Sequence, residues 1–165
     1  MKKLGMMILA LALLLSGCLA APVYETLDGL DVNGNVPAMK KMVFDLPEDA
    51  SVQTVQGTAG RIYFCDGYEI MVETFSAGDL DKTLRNLTGF SRDALTLVQT
   101  KVDGIDRYSC VWTSIGENGE QVGRTTILDD GGYHYCLTVT APAEDSLKLQ
   151  PVFGALFESF TLESA

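Results

Sequence analysis

Three dipeptides, Asp103-Gly104, Asn118-Gly119 and Asp130-Gly131, each separate two β-rich runs, and no other feature of the chain narrows the fold so far. A type I′ turn needs positive φ at both central residues, which Asn, Asp and Gly tolerate, and its twist matches that of antiparallel strands. Three such turns in succession predict a four-stranded antiparallel meander, with strands at about 96–102, 105–116, 121–129 and 132–141. Counting outward from the turns pairs Lys101 with Asp106, Cys110 with Ile127, and Ile127 with His134.

Upstream, Asp66-Gly67 divides the apolar and aromatic run 61–75 in the same way and predicts a hairpin with Cys65 opposite Tyr68. Val43-Phe44-Asp45-Leu46-Pro47 reads as a short strand stopped by proline. Between hairpin and meander, Ser76-Ala77-Gly78-Asp79 offers a serine cap and a first-turn acid to a helix that places Leu80, Leu84 and Leu87 on one face and ends at Gly89. A second helix is expected over Val152–Phe160, where Phe153, Leu156, Phe157 and Phe160 recur at helical spacing. The fold class is therefore α+β: an antiparallel sheet, made of a hairpin plus a four-stranded meander, flanked by two helices.

The N-terminus is of another kind. Lys2 and Lys3 precede an uncharged run from Leu4 to Leu15, then small residues, which is the layout of a secretory signal. Leu15-Ser16-Gly17-Cys18 resembles the lipobox of bacterial lipoproteins. That resemblance implies a diacylglyceryl group on Cys18, cleavage before it, and a protein held at the cell membrane facing away from the cytoplasm. Two acyl chains on one residue suffice for stable anchoring, at about 0.8 kcal/mol per buried CH₂. The alternative is an uncleaved transmembrane helix, since Leu4–Ala21 is uncharged and approaches the roughly 20 residues needed to cross a bilayer. The chain then divides into a signal peptide (1–17), the lipidated Cys18 with a flexible tether (18–38), and one domain (39–165). Within the tether, Asp31-Val32-Asn33-Gly34-Asn35 has the start of a calcium loop but Val36 at the turn glycine and Met42 at the bidentate acid, so it reads as an Asx-rich turn.

Removing residues 1–17 takes away two lysines and no acid, leaving ten basic and 22 acidic side chains and a formal charge of −12. No Lys/Arg cluster exists to track phosphates, so nucleic acid is excluded as a partner, and anionic headgroups repel the domain. The expected partners are the membrane, through Cys18, and an envelope protein. Besides Cys18 the chain holds Cys65, Cys110 and Cys136, an odd number in an exported protein, so at least one thiol is free or paired between chains. Cys110 and Cys136 fall two strand spacings apart, beyond the roughly 7 Å that a disulfide spans between Cα atoms, whereas a bridge from Cys65 stays open.

Chemistry has few places to go. His134 is the only histidine, so a Ser-His-Asp or Cys-His mechanism must use it as base. Cys136 shares its face but at i, i+2, roughly 6.5–7 Å away, and Cys110 lies two strands off, too far for a nucleophile–base hydrogen bond or for convergent zinc ligands. Asp129 and Asp130 flank a Gly-Gly pair, where turn chemistry explains them. Asn86-Leu87-Thr88 matches a glycosylation acceptor on a helix, read here as chance. Tyr108, Trp112, Tyr133 and Tyr135 are candidates for a ligand or partner surface, with cross-strand packing as the competing account. No catalytic residue, metal site or cofactor is assigned.

The order of elements, from Phe44-Asp45-Leu46-Pro47 through hairpin, helix and meander to a last helix running into Ser159-Phe160, resembles the PsbP-like fold. That resemblance implies an α/β/α sandwich, and members that include envelope lipoproteins and accessory or assembly factors without chemistry of their own. The expected function is thus a membrane-anchored, non-catalytic binding or assembly module. The alternative is a small envelope hydrolase built on His134, and the discriminator is whether His134 opens into a cleft or packs on its sheet.

Overall fold

The computed structural model describes residues 38–54, 60–116 and 119–164, so Cys18, the signal and the Asx-rich turn lie outside the described residues. The strands are β1 (Lys41–Val43), β2 (Ser51–Thr54), β3 (Arg61–Cys65), β4 (Tyr68–Ser76), β5 (Val98–Val102), β6 (Ile105–Gly116), β7 (Gly119–Asp129), β8 (Tyr133–Pro142) and β9 (Thr161–Glu163). The helices are α1 (Leu80–Thr88) and α2 (Ser146–Ser159), with a 3₁₀ turn at Arg92–Ala94. Seven strands form one antiparallel sheet in the order β2-β3-β4-β8-β7-β6-β5. The hairpin β3–β4 therefore joins the meander through β4 and β8. β1 and β9 pair separately, Met42 facing Leu162.

The turns at Asp66-Gly67 and Asp103-Gly104 set the register as the sequence predicts, with Cys65 opposite Tyr68 and Lys101 opposite Asp106. Two other turns are displaced by one residue each. Gly116 pairs with Gly119, which puts Cys110 opposite Thr125 rather than Ile127. Asp129 pairs with His134, which puts Cys136 rather than His134 opposite Ile127. In the latter turn Asp130 caps the loop, its Oδ1 accepting from the backbone N–H groups of Gly132 (3.0 Å) and Tyr133 (2.9 Å), so the glycine pair occupies the bend. A one-residue displacement of a turn moves each cross-strand partner by two, which keeps every side chain on its predicted face.

Other boundaries differ. The first strand ends at Val43, and Phe44 leaves it to pack edge-on against Tyr63 and Phe160, with ring centroids 6.1 and 6.5 Å away. β2 was hidden in a polar stretch because an edge strand has little to bury, and its Val52 is exposed. Ser76 ends β4, and Asp79 caps α1 instead, its Oδ1 accepting from the N–H groups of Asp81 and Lys82 at 2.9 and 3.2 Å. The last helix starts six residues earlier than expected and contains Pro151. The carbonyl that loses a helical partner there belongs to Leu147, which is exposed, so solvent can hydrate it.

Each helix covers one face of the sheet. Tyr68, Ile70, Val72, Leu137, Val139 and Ala141 bury against Phe153, Leu156, Phe157 and Phe160 under α2. Leu84 and Leu87 of α1 bury against Cys110, Ile127 and Cys136 on the other face. The result is an α/β/α sandwich.

Candidate functional site

Alternation along β8 sends Tyr135, Leu137 and Val139 toward α2 and His134, Cys136 and Thr138 toward α1. His134 thus lies beneath α1, 1% exposed. Its Nδ1 is 2.8 Å from the hydroxyl of Thr83, itself buried in α1, and its Nε2 is 3.5 Å from Oδ2 of its cross-strand neighbour Asp129. Burial drives the imidazole pKa down, and it outweighs the Asp129 carboxylate, which pulls the other way. The ring is therefore neutral at neutral pH, with Nε2–H toward Asp129 and Nδ1 accepting from the Thr83 hydroxyl.

Hydroxyl, imidazole and carboxylate stand here in the order of a hydrolytic relay, but the Thr83 hydroxyl and the imidazole are buried between a helix and a sheet, and only Asp129 is partly exposed. Thr83 and His134 are both buried, so neither group opens onto the surface in this arrangement. What the arrangement does is fasten α1 to β8. Sequence spacing cannot reveal that partnership, because Thr83 and His134 are 51 residues apart and Thr83 reads as an ordinary helix residue.

Cys110 and Cys136 are buried on this same face, two strands apart and offset along them, and all three described cysteines are free thiols. Burial pushes the Cys110 thiol up to about 11 and Cys136 well above its ordinary value, so both are protonated and unreactive at neutral pH. The half-buried Cys65 thiol is raised too, again by burial first. Among the described residues no three His, Cys, Asp or Glu side chains group as a metal site would need.

The two aspartates are absorbed by the β7–β8 turn. Asp129 Oδ1 accepts from Gly131 N–H at 2.8 Å. Asp130 Oδ2 accepts from the Tyr135 hydroxyl at 3.3 Å and lies 3.4 Å from Lys40 Nζ, while the Tyr135 hydroxyl accepts from Lys40 N–H at 2.8 Å. Burial pushes the Asp130 carboxyl upward, yet the amides of Tyr133 and Gly132 together with Lys40 hold it below the usual carboxylate range. This clamp ties Lys40, just ahead of β1, to the β7–β8 turn.

The four candidate aromatics do not form one surface. Tyr133 and Tyr135 pack with the α2 side, Tyr135 fully buried, whereas Tyr108 and Trp112 pack with the α1 side. Trp112 lies flat over Gly123, its cross-strand partner, where a Cβ would overlap the indole. Its Nε1–H donates to Thr125 Oγ1 at 3.0 Å, which is 3.0 Å from Thr138 Oγ1, so a polar chain crosses three strands. Beyond Trp112, α1 leaves the sheet uncovered, and an open depression of about 490 Å³ is lined by Phe64, Tyr68, Glu69, Ser114, Gln121 and Thr140 among others. Thr140 is six residues along β8 from His134, about 20 Å, so the depression and the enclosed imidazole are separate places. No single sequence motif carries this depression, since its lining comes from five strands.

No family model and no curated protein matches the sequence. Solved structures do match the fold. Cyanobacterial PsbP (CyanoP) from Synechocystis sp. PCC 6803 superposes with a TM-score of 0.57 and 13% identity, over 87% of this chain and 100% of that one. A Bacteroides thetaiotaomicron VPI-5482 protein superposes at 0.51 and 12% identity, over 74% of this chain and 45% of that one. LpqN of Mycobacterium tuberculosis, a protein involved in cell envelope biogenesis, gives 0.49 and 13% over 76% of this chain and 85% of that one, a score too low to bear on the argument. At such identities the likeness is one of fold, and the fold is the PsbP-like antiparallel sheet with a helix on either face.

Proposed function

We propose that this protein is a lipoprotein anchored through Cys18 on the outer side of a cell membrane, and that its PsbP-like domain is a non-catalytic binding or assembly module for an envelope protein. The observation that supports it most is the enclosure of the chain's only histidine. A general base must reach a reacting atom, and His134 has both nitrogens taken up by Thr83 and Asp129 beneath a helix. The hydrolase reading takes the same three residues as a relay, and it requires α1 to lift off the sheet.

The lipid anchor rests on Leu15-Ser16-Gly17-Cys18 at the end of the uncharged run. The surface that would meet a partner is the uncovered sheet around the depression, where Phe64 is exposed and Trp112 and Tyr108 are half-buried on the same face. Tyr133 lies on the opposite face, and Tyr135 has no surface to offer.

Fatty-acid labelling and membrane fractionation of the full chain test the anchor. Wild type is expected in the membrane fraction with acyl label, and Cys18→Ala is expected to lose the label and release a folded domain. A wild type that keeps its leader and takes up no acyl label overturns the lipoprotein reading in favour of a transmembrane helix over Leu4–Ala21.

A further inference from the structure

At the far edge of the sheet, β5 has a partner on one side only among the described residues, and all five of its residues are exposed. Natural edge strands are commonly shortened, bulged, or studded with charges because an open edge templates pairing with another chain. β5 has one charged residue, Lys101, and that ammonium is drawn to Asp106 on its own hairpin at 3.3 Å. The strand holds no acid in a chain whose net charge is −10.

Its hairpin defines which main-chain groups are free. Asp103 (φ 52°) and Gly104 (φ 82°) form a two-residue turn with both φ positive, so the flanking pair Val102–Ile105 is hydrogen-bonded in both directions. Pairs then alternate, and Val98, Thr100 and Val102 spend their N–H and C=O groups on β6 while Gln99 and Lys101 point theirs outward.

The residue order Val98-Gln99-Thr100-Lys101-Val102 is palindromic in character about Thr100. A two-fold axis needs a surface that complements itself, and an antiparallel match of β5 to a second β5 centred on Thr100 supplies one. Val98 would then face Val102 of the second copy, Thr100 would face Thr100, and Lys101 would face Gln99. No like charges confront one another in that register, and the outward groups of Gln99 meet those of Lys101 as hydrogen-bonded pairs. The exposed valines Val98 and Val102 lie on the same side of the sheet as the exposed Val111 of β6, so the two copies would share one apolar strip.

We propose that the protein forms an isologous dimer in which β5 pairs antiparallel with β5 of a second copy, extending the sheet across both. One added strand pair buries less than about 1,200 Å², which makes the dimer weak and dependent on local concentration, as on a membrane. Both copies are acidic, so added salt favours association.

The test is sedimentation of the full-length chain in density-matched detergent over a range of concentrations. Wild type is expected to shift from monomer to dimer as concentration rises. Thr100→Glu and Thr100→Lys each place like charges at the axis, where directly opposed Cα atoms are about 4.5 Å apart, so each alone is expected to stay monomeric. An equimolar mixture of the two should dimerise at least as well as wild type. Gln99→Pro removes an outward N–H that β6 does not use, and it is expected to abolish the dimer while leaving the circular dichroism unchanged. A wild type that stays monomeric at every concentration, a dimer that survives these substitutions, or a Glu/Lys mixture that fails to associate overturns the proposal.

Discussion

Beneath α2 the sheet presents Ile70, Val72, Leu137 and Val139 to Phe153, Leu156, Phe157 and Phe160, whereas beneath α1 it sets His134, Thr125 and Thr138 among Ile127, Cys110 and Cys136. The α2 side is mainly a carbon core, with Thr126 buried in it against the Ser109 hydroxyl at 2.9 Å. Arg124 stacks 4.5 Å over the Phe157 ring, and Arg107 donates to the carbonyls of Phe157 and Phe160 at the end of the helix. The α1 side is threaded by polar groups, and among the described residues no buried side-chain nitrogen or oxygen lacks a partner. Apolar packing is non-directional and scales with buried area, while a buried hydrogen bond is worth little when made and costs more when half of it is removed. One face therefore supplies bulk stability, and the other specifies how a short helix must sit.

That contrast predicts where truncation hurts most. Phe157→Ala, at a side chain 1% exposed, is expected to cost about 3–5 kcal/mol in urea-induced unfolding. A loss smaller than that of any substitution under α1 would mean that the two faces contribute alike.

The α1 face should instead respond to polarity and pH. Thr83→Val keeps the shape but leaves His134 Nδ1 without its donor, for an expected loss of about 1–3 kcal/mol. The pH dependence has a definite sign. Folding holds the His134 pKa below its ordinary 6.5, so as pH falls the unfolded chain binds the proton first. Stability is then full above the unfolded value, declines as pH drops below it, and levels off once the folded imidazole also titrates. Asp130, held low, loses its contribution further down, in the carboxylate range, while Glu73, raised by burial, works in the opposite sense. His134→Gln is expected to flatten the histidine step alone, and an unchanged profile of melting temperature against pH would show that His134 is not the enclosed base described here.

Gly123→Ala probes the same face through its single tryptophan. A methyl at that position meets the indole of Trp112, so the ring must leave Thr125. The expected cost is about 1–3 kcal/mol, accompanied by a red shift of the fluorescence as the indole gains water. An unshifted spectrum would place Trp112 elsewhere than flat on the strand.

The carbon core was the more legible of the two faces. Phe153, Leu156, Phe157 and Phe160 announce a helix by spacing, and alternation along β8 assigns each residue to a side before any coordinate is known. Turns with Asp-Gly located two registers outright. The Gly116–Gly119 and Asp130–Tyr133 turns moved because the sequence offers adjacent candidates, and side-chain capping by Asp130 decides the second. The polar face was not legible. Nothing local distinguishes a threonine that meets a histidine across 51 residues from one that faces solvent, and the open depression draws its lining from five strands.

The smallest expected effect concerns how α1 begins, where sequence allowed two readings. A Ser at 76 and an Asp at 79 are both good capping residues, but β4 runs on through Ser76 to pair it with Tyr133, which removes it from the helix. Asp79 is then the first residue whose side chain reaches the free amides, and its carboxylate also meets the positive end of the helix. Asp79→Ala should cost about 0.5–2 kcal/mol, and Ser76→Ala a few tenths at most, since it removes an exposed hydroxyl at a strand end. Because the Asp79 carboxylate also pulls the His134 pKa upward, Asp79→Ala is expected to lower the histidine pKa further below its ordinary value. Equal losses from the two substitutions, or a histidine that does not respond to Asp79→Ala, would separate the cap from the buried pair and leave α1 held by Leu84 and Leu87 alone.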